Sequence, residues 1–307
     1  MDKLSVIVPC YNEQEVLDTF YDTIINVLSS MDVDYELLFV DDGSKDDTIN
    51  VFRRLAEKDE RVRFISFSRN FGKEAAMYAG LENALGNMAV IMDADLQHPP
   101  KLLPQMYKAL REEGYDMCGT RRVSRTGEPP IRSFFARRFY KLMNKMSDVE
   151  LVDGAQDFCM MSKPVIEGIL KMKEVNRFTK GIYSWIGFRK KWIEQENVER
   201  TLGETTWSFW GLLRYAIEGI VGFSTVPLII SSLFGMLFCF IALIMIVFVC
   251  VKTIFFGEPV QGYPTLICTI SLIGGLIMLS IGVMGQYMAK MYLEVKNRPI
   301  YLIKERE

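Results

Sequence analysis

Two aspartates one residue apart close an apolar run that reads Ala89-Val90-Ile91-Met92-Asp93-Ala94-Asp95-Leu96-Gln97-His98-Pro99-Pro100. In extended backbone, residues i and i+2 face the same side, so the two carboxylates can converge on one point. A hard divalent cation, Mg2+ or Mn2+, is commonly held by one or two carboxylates completed by substrate phosphates. The double proline then stops the strand and lets a helix begin. A solvated Asp-containing turn has the same residues, so the tripeptide alone does not decide between the two.

Other chemistries have less to work with. The only histidine is His98, which cannot build a histidine metal site or a catalytic triad and reads as a loop residue beside the site. The six cysteines form no C-x-x-C pair and read as small buried hydrophobes in a reducing compartment. The first strand-helix turn has no G-x-G-x-x-G and the chain has no G-K-S/T loop, which argues against a dinucleotide dehydrogenase and a P-loop ATPase. A net charge of -2 over 307 residues gives no global attraction to nucleic acid. Leu4 to Val8 is too short an apolar core for a signal peptide.

The elements that must position the aspartates follow from the pattern. Strands are expected at Leu4 to Val8, Tyr35 to Val40, Val62 to Phe67, Met88 to Met92 and Tyr115 to Gly119. Helices are expected at Gln14 to Leu28, after a capping box Ser44-x-x-Asp47, at Gly72 to Ala84 and at Leu102 to Leu110. Alternation at this spacing predicts an α/β fold with a mainly parallel sheet, and ligands then sit beyond the carboxyl ends of the strands. Asn12 and Glu13, Asp41 and Asp42, Asp93 and Asp95, and Arg121 and Arg122 all fall there. Four charged strand ends on one edge favour the metal-diphosphate reading of the Asp pair.

Ser5-Val6-Ile7-Val8-Pro9-Cys10-Tyr11-Asn12-Glu13, Val40-Asp41-Asp42-Gly43-Ser44 and Met92 to Pro100, in that order, resemble glycosyltransferase family 2. The likeness continues through Gly154 to Met161, Arg177 to Phe188 and Gly203 to Pro227. It points to the polyisoprenyl-phosphate branch, which includes dolichol-phosphate mannose synthase and bactoprenol glucosyltransferases. The resemblance implies a GT-A (Rossmann-like) fold and an inverting, metal-dependent transfer using Mg2+ or Mn2+. It implies that Pro9, Tyr11, Asn12, Glu13, Asp41, Asp42 and Asp93 bind the nucleotide. It implies that Asp95, with Asp93 and Gln97, binds the metal, and that Arg121 faces phosphates. The chain departs from the family pattern at Cys159, where an arginine is usual, and at Thr206, where near relatives have lysine.

Basic residues dominate from Arg121 to Lys145. Phe135, Phe139, Leu142 and Met146 share one helical face, and Arg138, Lys141 and Lys145 lie on an adjacent one. Such a helix suits an anionic membrane surface at about 1 kcal/mol per cation; a solvated helix over the core is the alternative. Asp157, with Asp153, is the other carboxylate available for chemistry. A sugar hydroxyl acceptor would need a base, whereas a lipid phosphate is already anionic at neutral pH and needs cations instead. Asp157 is therefore expected to position groups at the catalytic centre or to cap a turn. Arg121, Arg122, Arg138, Lys180 and Arg189 are the cations expected to meet acceptor and diphosphate.

Trp207 to Val221 reads as an amphipathic interface helix. Leu228 to Val251 and Thr265 to Met288 are uncharged apolar runs, the first about 36 Å long as helix, enough for a ~30 Å hydrocarbon core. The expected organisation is a catalytic domain over 1–200, an interfacial helix over 201–227 and two transmembrane helices with a short tail over 228–307. The loop between the spans carries Lys252 alone, whereas the tail carries Lys290, Lys296, Arg298, Lys304 and Arg306, which places tail and catalytic domain in the cytoplasm of a plasma-membrane protein. Ser271, Gly275, Gly282 and Gly285 could pack the two helices together or join protomers of a homo-oligomer. Expected partners are a nucleotide sugar, UDP-glucose or UDP-N-acetylglucosamine, and undecaprenyl phosphate in the membrane, with no nucleic acid. Two alternatives are a processive polysaccharide synthase, against which stands the lack of Q-x-x-R-W, and a scaffold with a vestigial nucleotide fold.

Overall fold

The computed structural model describes residues 2–122, 144, 152–195, 226–256 and 262–307. The expected basic helix with Arg138, the expected interface helix and Thr206 lie outside these residues. The described elements are β1 (Lys3–Cys10), α1 (Leu17–Ser29), β2 (Asp34–Asp41), α2 (Thr48–Lys58), β3 (Val62–Phe67), α3 (Lys73–Asn83) and β4 (Met88–Ile91). They continue with a 3-10 turn (Pro100–Leu102), α4 (Leu103–Arg111), β5 (Met117–Arg122), β6 (Ala155–Ser162), α5 (Lys163–Lys171), α6 (Thr179–Trp185), β7 (Lys190–Gln195), α7 (Val226–Phe256), α8 (Tyr263–Val295) and β8 (Ile303–Arg306).

The eight strands form one sheet in the order β7-β5-β6-β4-β1-β2-β3-β8. The stretch β4-β1-β2-β3 is parallel, as the alternation of elements predicts. The sheet as a whole is mixed, because β6 runs antiparallel between β4 and β5 and β8 runs antiparallel beside β3. Two apolar clusters cover its faces. Leu4, Val6 and Val8 of β1 turn toward one, with α1, α2 and α4 above them, and Ile7 turns toward the other, under α3, α5 and α6. That alternation is the period of two of a strand buried on both faces. Helix α1 buries Leu17, Phe20, Tyr21, Ile24 and Leu28, one stripe at helical spacing. Helix α3 lies so close to β1 that a Cβ on Gly80 would come within 2.2 Å of Ile7 Cγ2.

Glu36 is a charge buried between the strands, away from the carboxyl edge of the sheet. Glu36 in β2, with its side chain 2% exposed, accepts from Ser5 Oγ, from Leu85 N–H at 2.6 Å and from Arg63 Nη1 at 2.8 Å. It ties β2 to β1, to β3 and to the turn before β4. Glu36→Ala removes the acceptor of Ser5 and Leu85 and the countercharge of Arg63, and the expected loss is about 3–5 kcal/mol, read as a lowered thermal midpoint in detergent.

The chain end is not a loose tail. After α8 it turns back, and β8 pairs with β3 at the sheet edge. Arg53 donates two bonds to the Glu305 carboxylate at 2.8 and 2.6 Å, and the Tyr301 ring stacks on Phe67 at 5.0 Å. The Glu294 carboxylate, one residue before the end of α8, accepts the N–H groups of Val175 and Asn176, each at 3.0 Å. Strand β8 is therefore part of the same sheet as β1 to β7. Among the described residues one stretch, Leu272–Val295 in α8, is long and apolar enough to cross a membrane, with a mean hydropathy of 1.6 and none of it buried in the protein. It overlaps the expected Thr265 to Met288.

Candidate active site

The carboxyl ends of β1, β2, β4 and β5 share one edge. Beyond β1 and β2 the two loops are sewn together. Asn12, in the left-handed region at φ 55°, donates its N–H to Ser44 Oγ at 2.9 Å and accepts Lys45 N–H on its side-chain oxygen at 2.9 Å. Glu13 N–H donates to Thr48 Oγ1 at 3.0 Å. Ser44 is thus spent on this seam, and α2 starts at Thr48 with no side-chain cap, unlike the expected capping box.

Asp41 and Asp42, expected to bind nucleotide, are 2% and 4% exposed, and the chain itself engages both carboxylates. Asp41 accepts Ser44 N–H at 2.8 Å and Ser66 Oγ at 2.7 Å. Asp42 accepts Phe71 N–H at 2.6 Å and Gly72 N–H at 2.9 Å. Burial raises the Asp42 pKa above its ordinary value, against the pull of these two bonds. Its structural effect is to fix the turn that leads into α3, and so to place Lys73. Tyr11, by contrast, stands 41% exposed at the mouth of the edge.

The antiparallel strand completes the centre. The β4-β6 register pairs Met88 with Ser162 and Ile91 with Cys159; continued two residues, it sets Asp93 opposite Asp157. Lys73, the first residue of α3, reaches between them, with Nζ 2.6 Å from Asp93 Oδ1 and 2.9 Å from Asp157 Oδ2. Burial alone would push the ammonium pKa down, but the two carboxylates outweigh it and hold it above the ordinary lysine value. Burial likewise pushes Asp93 and Asp157 up, and Lys73 pulls both below the usual carboxylate range, with Lys180 adding to the effect on Asp157. Both stay ionised at neutral pH.

His98 is more than a bystander. It is 4% exposed, stacks on Phe158 with ring centroids 5.1 Å apart, and its Nδ1 accepts the backbone N–H of Asp93 at 3.0 Å. Burial pushes the imidazole pKa down, which keeps Nδ1 free to accept. His98→Ala removes that acceptor and the stacked ring. The expected cost is about 1–3 kcal/mol of stability together with a drop in activity at temperatures where the variant remains folded, read by thermal unfolding and by initial rates.

Asp95 Oδ1 accepts Gln97 N–H at 3.1 Å across a turn whose middle residue, Leu96, sits at φ 56°. A branched-chain residue is rarely found in that conformation, so the turn after the strand is strained. Arg122 Nη2 donates to Gln97 Oε1 at 3.3 Å, and Gln195 Nε2 donates to Gln97 O at 2.9 Å. Arg121 pairs with Glu194, and its buried Nε has no partner among the described residues.

Of the expected site residues, the edge gathers Pro9, Tyr11, Asn12, Glu13, Asp41, Asp42, Asp93, Asp95, Gln97, Arg121, Arg122 and Asp157, with Lys180 close enough to act on Asp157. It does not gather Arg189. That residue precedes β7, whose Lys190 pairs with Met117 at the start of β5, so Arg189 lies at the opposite edge, its N–H bonded to Asp116 at 3.0 Å. Arg138 lies outside the described residues. Cys159, where the family pattern has arginine, is fully buried. Lys73 was not among the expected residues, and its one sequence signal is its place at the start of a helix that follows a strand of the same edge.

Among the described residues no three His, Cys, Asp or Glu side chains form a metal cage. The donor set fits a metal all the same. Two ionised carboxylates already converge on a cation, the Lys73 ammonium, and a Mg2+ or Mn2+ ion typically takes one or two carboxylates and draws its other ligands from substrate phosphate and water.

The model of Glycosyl transferase family 2 matches residues 5–170, and the chain belongs to that family. CsbB of Bacillus subtilis is 41% identical over 98% of this chain and 91% of its own. The prophage bactoprenol glucosyl transferase homolog of Escherichia coli K12 is 39% identical over 98% of both chains. The bactoprenol glucosyl transferase of Shigella phage SfX is 38% identical over 99% of this chain and 100% of its own. Among solved structures, glucosyl-3-phosphoglycerate synthase from Mycobacterium tuberculosis in complex with Mn2+ and UDP-glucose is 18% identical, with a TM-score of 0.48 over 72% of this chain and 77% of that one.

Proposed function

We propose that this chain transfers a sugar, glucose or N-acetylglucosamine, from a UDP-linked donor to a polyprenyl phosphate at the membrane surface, with inversion at the anomeric carbon. The observation that carries the reading is the Asp93-Lys73-Asp157 centre at the carboxyl edge of the sheet, in a chain similar over nearly its whole length to bactoprenol glucosyl transferases.

The nucleoside lies over the β1-β2 seam, with Tyr11 exposed to stack on the base and Glu13 beside it. Asp41 and Asp42 support that floor from beneath, since their carboxylates are committed to the chain. A bound Mg2+ or Mn2+, held by Asp93, Asp95 and Asp157 with Gln97 nearby, would supply positive charge for the departing diphosphate. Lys73 holds Asp93 and Asp157 at a fixed spacing while the site is open. The acceptor phosphate is anionic at neutral pH and needs no base; its oxygen attacks the anomeric carbon as the sugar's bond to the diphosphate breaks on the far side. Lys180, beside Asp157, and Arg122, on Gln97, offset the repulsion between an anionic acceptor and an anionic donor.

The sheet also bears on the membrane topology. The pairing of β8 with β3 supports a topology in which the catalytic domain and β8 lie on one side and the chain crosses an even number of times. If α8 crosses once, α7, with 31 residues and no charge before Lys252, is the second crossing. The basic residues of the tail support the cytoplasm as that side. A division near residues 200 and 227, with the chain end returning to the first unit, accords with this.

The test uses purified full-length protein in detergent, undecaprenyl phosphate, Mg2+ or Mn2+, and a panel of UDP- and GDP-sugars. Label entering the lipid phase only when both metal and lipid phosphate are present is the expected result. Label in polymer, or released nucleotide alone, would overturn the lipid-phosphate acceptor.

A further inference from the structure

A second cationic feature lies away from the Asp93-Asp157 centre. Where α8 meets the catalytic domain, a cavity of about 530 Å3 opens between the turn after β3, the segment before α6 and the end of α8. Arg69, Arg177, Lys290 and Arg298 line it. Among the described residues, none of these four forms an ion pair with a carboxylate. Arg177 lies over the Tyr78 ring with its Nη1 on Met172 O, and its buried Nε has no partner. Burial pushes its pKa down and outweighs the opposing pull of the Glu174 and Glu74 carboxylates, neither of which pairs with it directly. Lys290 donates to Asn176 Oδ1 at 2.9 Å. The one carboxylate in the lining, Glu74, is occupied by Thr179, which donates both its N–H and its hydroxyl to it.

Four cations, Arg69, Arg177, Lys290 and Arg298, therefore face one cavity with a single carboxylate among its lining residues. Arginine forks match phosphate oxygens. Its position narrows the ligand further. Lys290 and Leu293 belong to the last turns of the apolar stretch Leu272–Val295, so the cavity sits where that helix would leave the hydrocarbon, at head-group level. Leu293 and Ile300 line the same cavity and give an apolar wall for the first carbons of a chain.

From this geometry we infer that the cavity binds the phosphate of a membrane lipid, held by Arg177 and Arg69 from the catalytic domain and by Lys290 and Arg298 from the end of the span. The inference rests on α8 entering a membrane, and not on which sugar is transferred. The shared chemistry is a lipid-borne phosphate, and two sources carry it: the polyprenyl phosphate acceptor held apart from the centre, or an anionic phospholipid clamping the domain onto the bilayer.

The test measures ligand binding, without donor, to full-length protein in phosphatidylcholine nanodiscs. The probes are undecaprenyl phosphate, phosphatidylglycerol and inorganic phosphate. The proteins are the wild type, Arg69→Ala/Arg298→Ala, whose two side chains are exposed and outside the core, and Arg177→Lys, which keeps the charge and loses the fork. Loss of two charge-assisted contacts is expected to weaken binding about tenfold or more, while UDP binding stays at the wild-type level. Weakened undecaprenyl phosphate binding assigns the site to the acceptor; weakened phosphatidylglycerol binding alone assigns it to bulk lipid. Unchanged binding of both lipids, or an effect confined to inorganic phosphate, overturns the inference. Wild-type protein that binds lipid phosphate here but transfers no sugar would leave this site standing and remove the transferase reading.

Discussion

Lys73→Met is expected to lower kcat/KM by roughly 10²–10³, the range seen when one preorganised electrostatic contact is removed from an active site. In the wild type a single ammonium lies 2.6 and 2.9 Å from two carboxylates, and both are held below the usual carboxylate range. Without it, Asp93 and Asp157 face each other with no ammonium between them and only the more distant Lys180 acting on Asp157, and one of them takes a proton. The sign of the pH effect follows. The wild-type pair is ionised throughout the neutral range and adds no slope there. In the variant one carboxyl titrates upward, so residual activity should climb with pH through its raised pKa. Lys73→Arg restores the charge and should recover much of the rate and flatten the profile. A Lys73→Met enzyme with near wild-type rates and a flat pH profile would remove the ammonium from the mechanism.

Lys73 also marks where sequence reading stops. The charged strand ends were legible because each follows an apolar run, and the parallel order of β1, β2, β3 and β4 makes them neighbours. The partner of Asp93 was not legible in the same way. Asp157 is 64 residues further along, and it reaches the site only because β6 runs antiparallel, which turns the start of that strand toward the edge where the others end. Strand direction is set by pairing with β4 and β5, not by the composition of Ala155–Ser162. The same limit explains Arg189. Its basic and aromatic neighbourhood matches a phosphate site, but the parallel pairing of β7 with β5 carries it to the far edge.

Short polar elements fail for another reason. Ile303–Arg306 has one apolar residue in four and reads as tail, yet an edge strand is paired along one side only and its composition is commonly charged. What fixes β8 is its partners, Arg53 for Glu305 and Phe67 for Tyr301, and neither shows in a local window. Asp41 and Asp42 have the opposite history. Their place at the edge follows from the apolar run of β2 before them, but two adjacent acids beyond a strand look alike whether they face a ligand or hold a turn. Burial separates the two cases, and burial is a tertiary property.

Asp93→Asn should be the more damaging of the two single substitutions in the Asp-x-Asp turn, with transfer lowered by roughly 10³-fold, at the upper end for a single polar group in an active site. The change is nearly isosteric and keeps the backbone N–H that His98 accepts, so the fold should persist and a thermal midpoint close to wild type should accompany the lost rate. What is lost is charge: the amide can present an N–H to Lys73, and Asp157 is left as the only carboxylate in contact with the ammonium. Asp95→Asn removes charge at a different place. Its carboxylate caps the turn through Gln97 N–H, a bond the amide oxygen can still accept, so the turn with Leu96 at φ 56° should survive. If Asp95 meets the cation while Asp93 also orders the centre through Lys73, the two variants should differ in kind. Asp95→Asn should raise the Mn2+ concentration needed for half-maximal rate by about tenfold or more, with much of the rate recovered at high metal; Asp93→Asn should stay slow at any metal concentration. Equal and metal-rescuable defects in both would mean that Asp93 serves only as a second ligand, and the Lys73 bridge would then be a feature of the resting site without a part in the transfer.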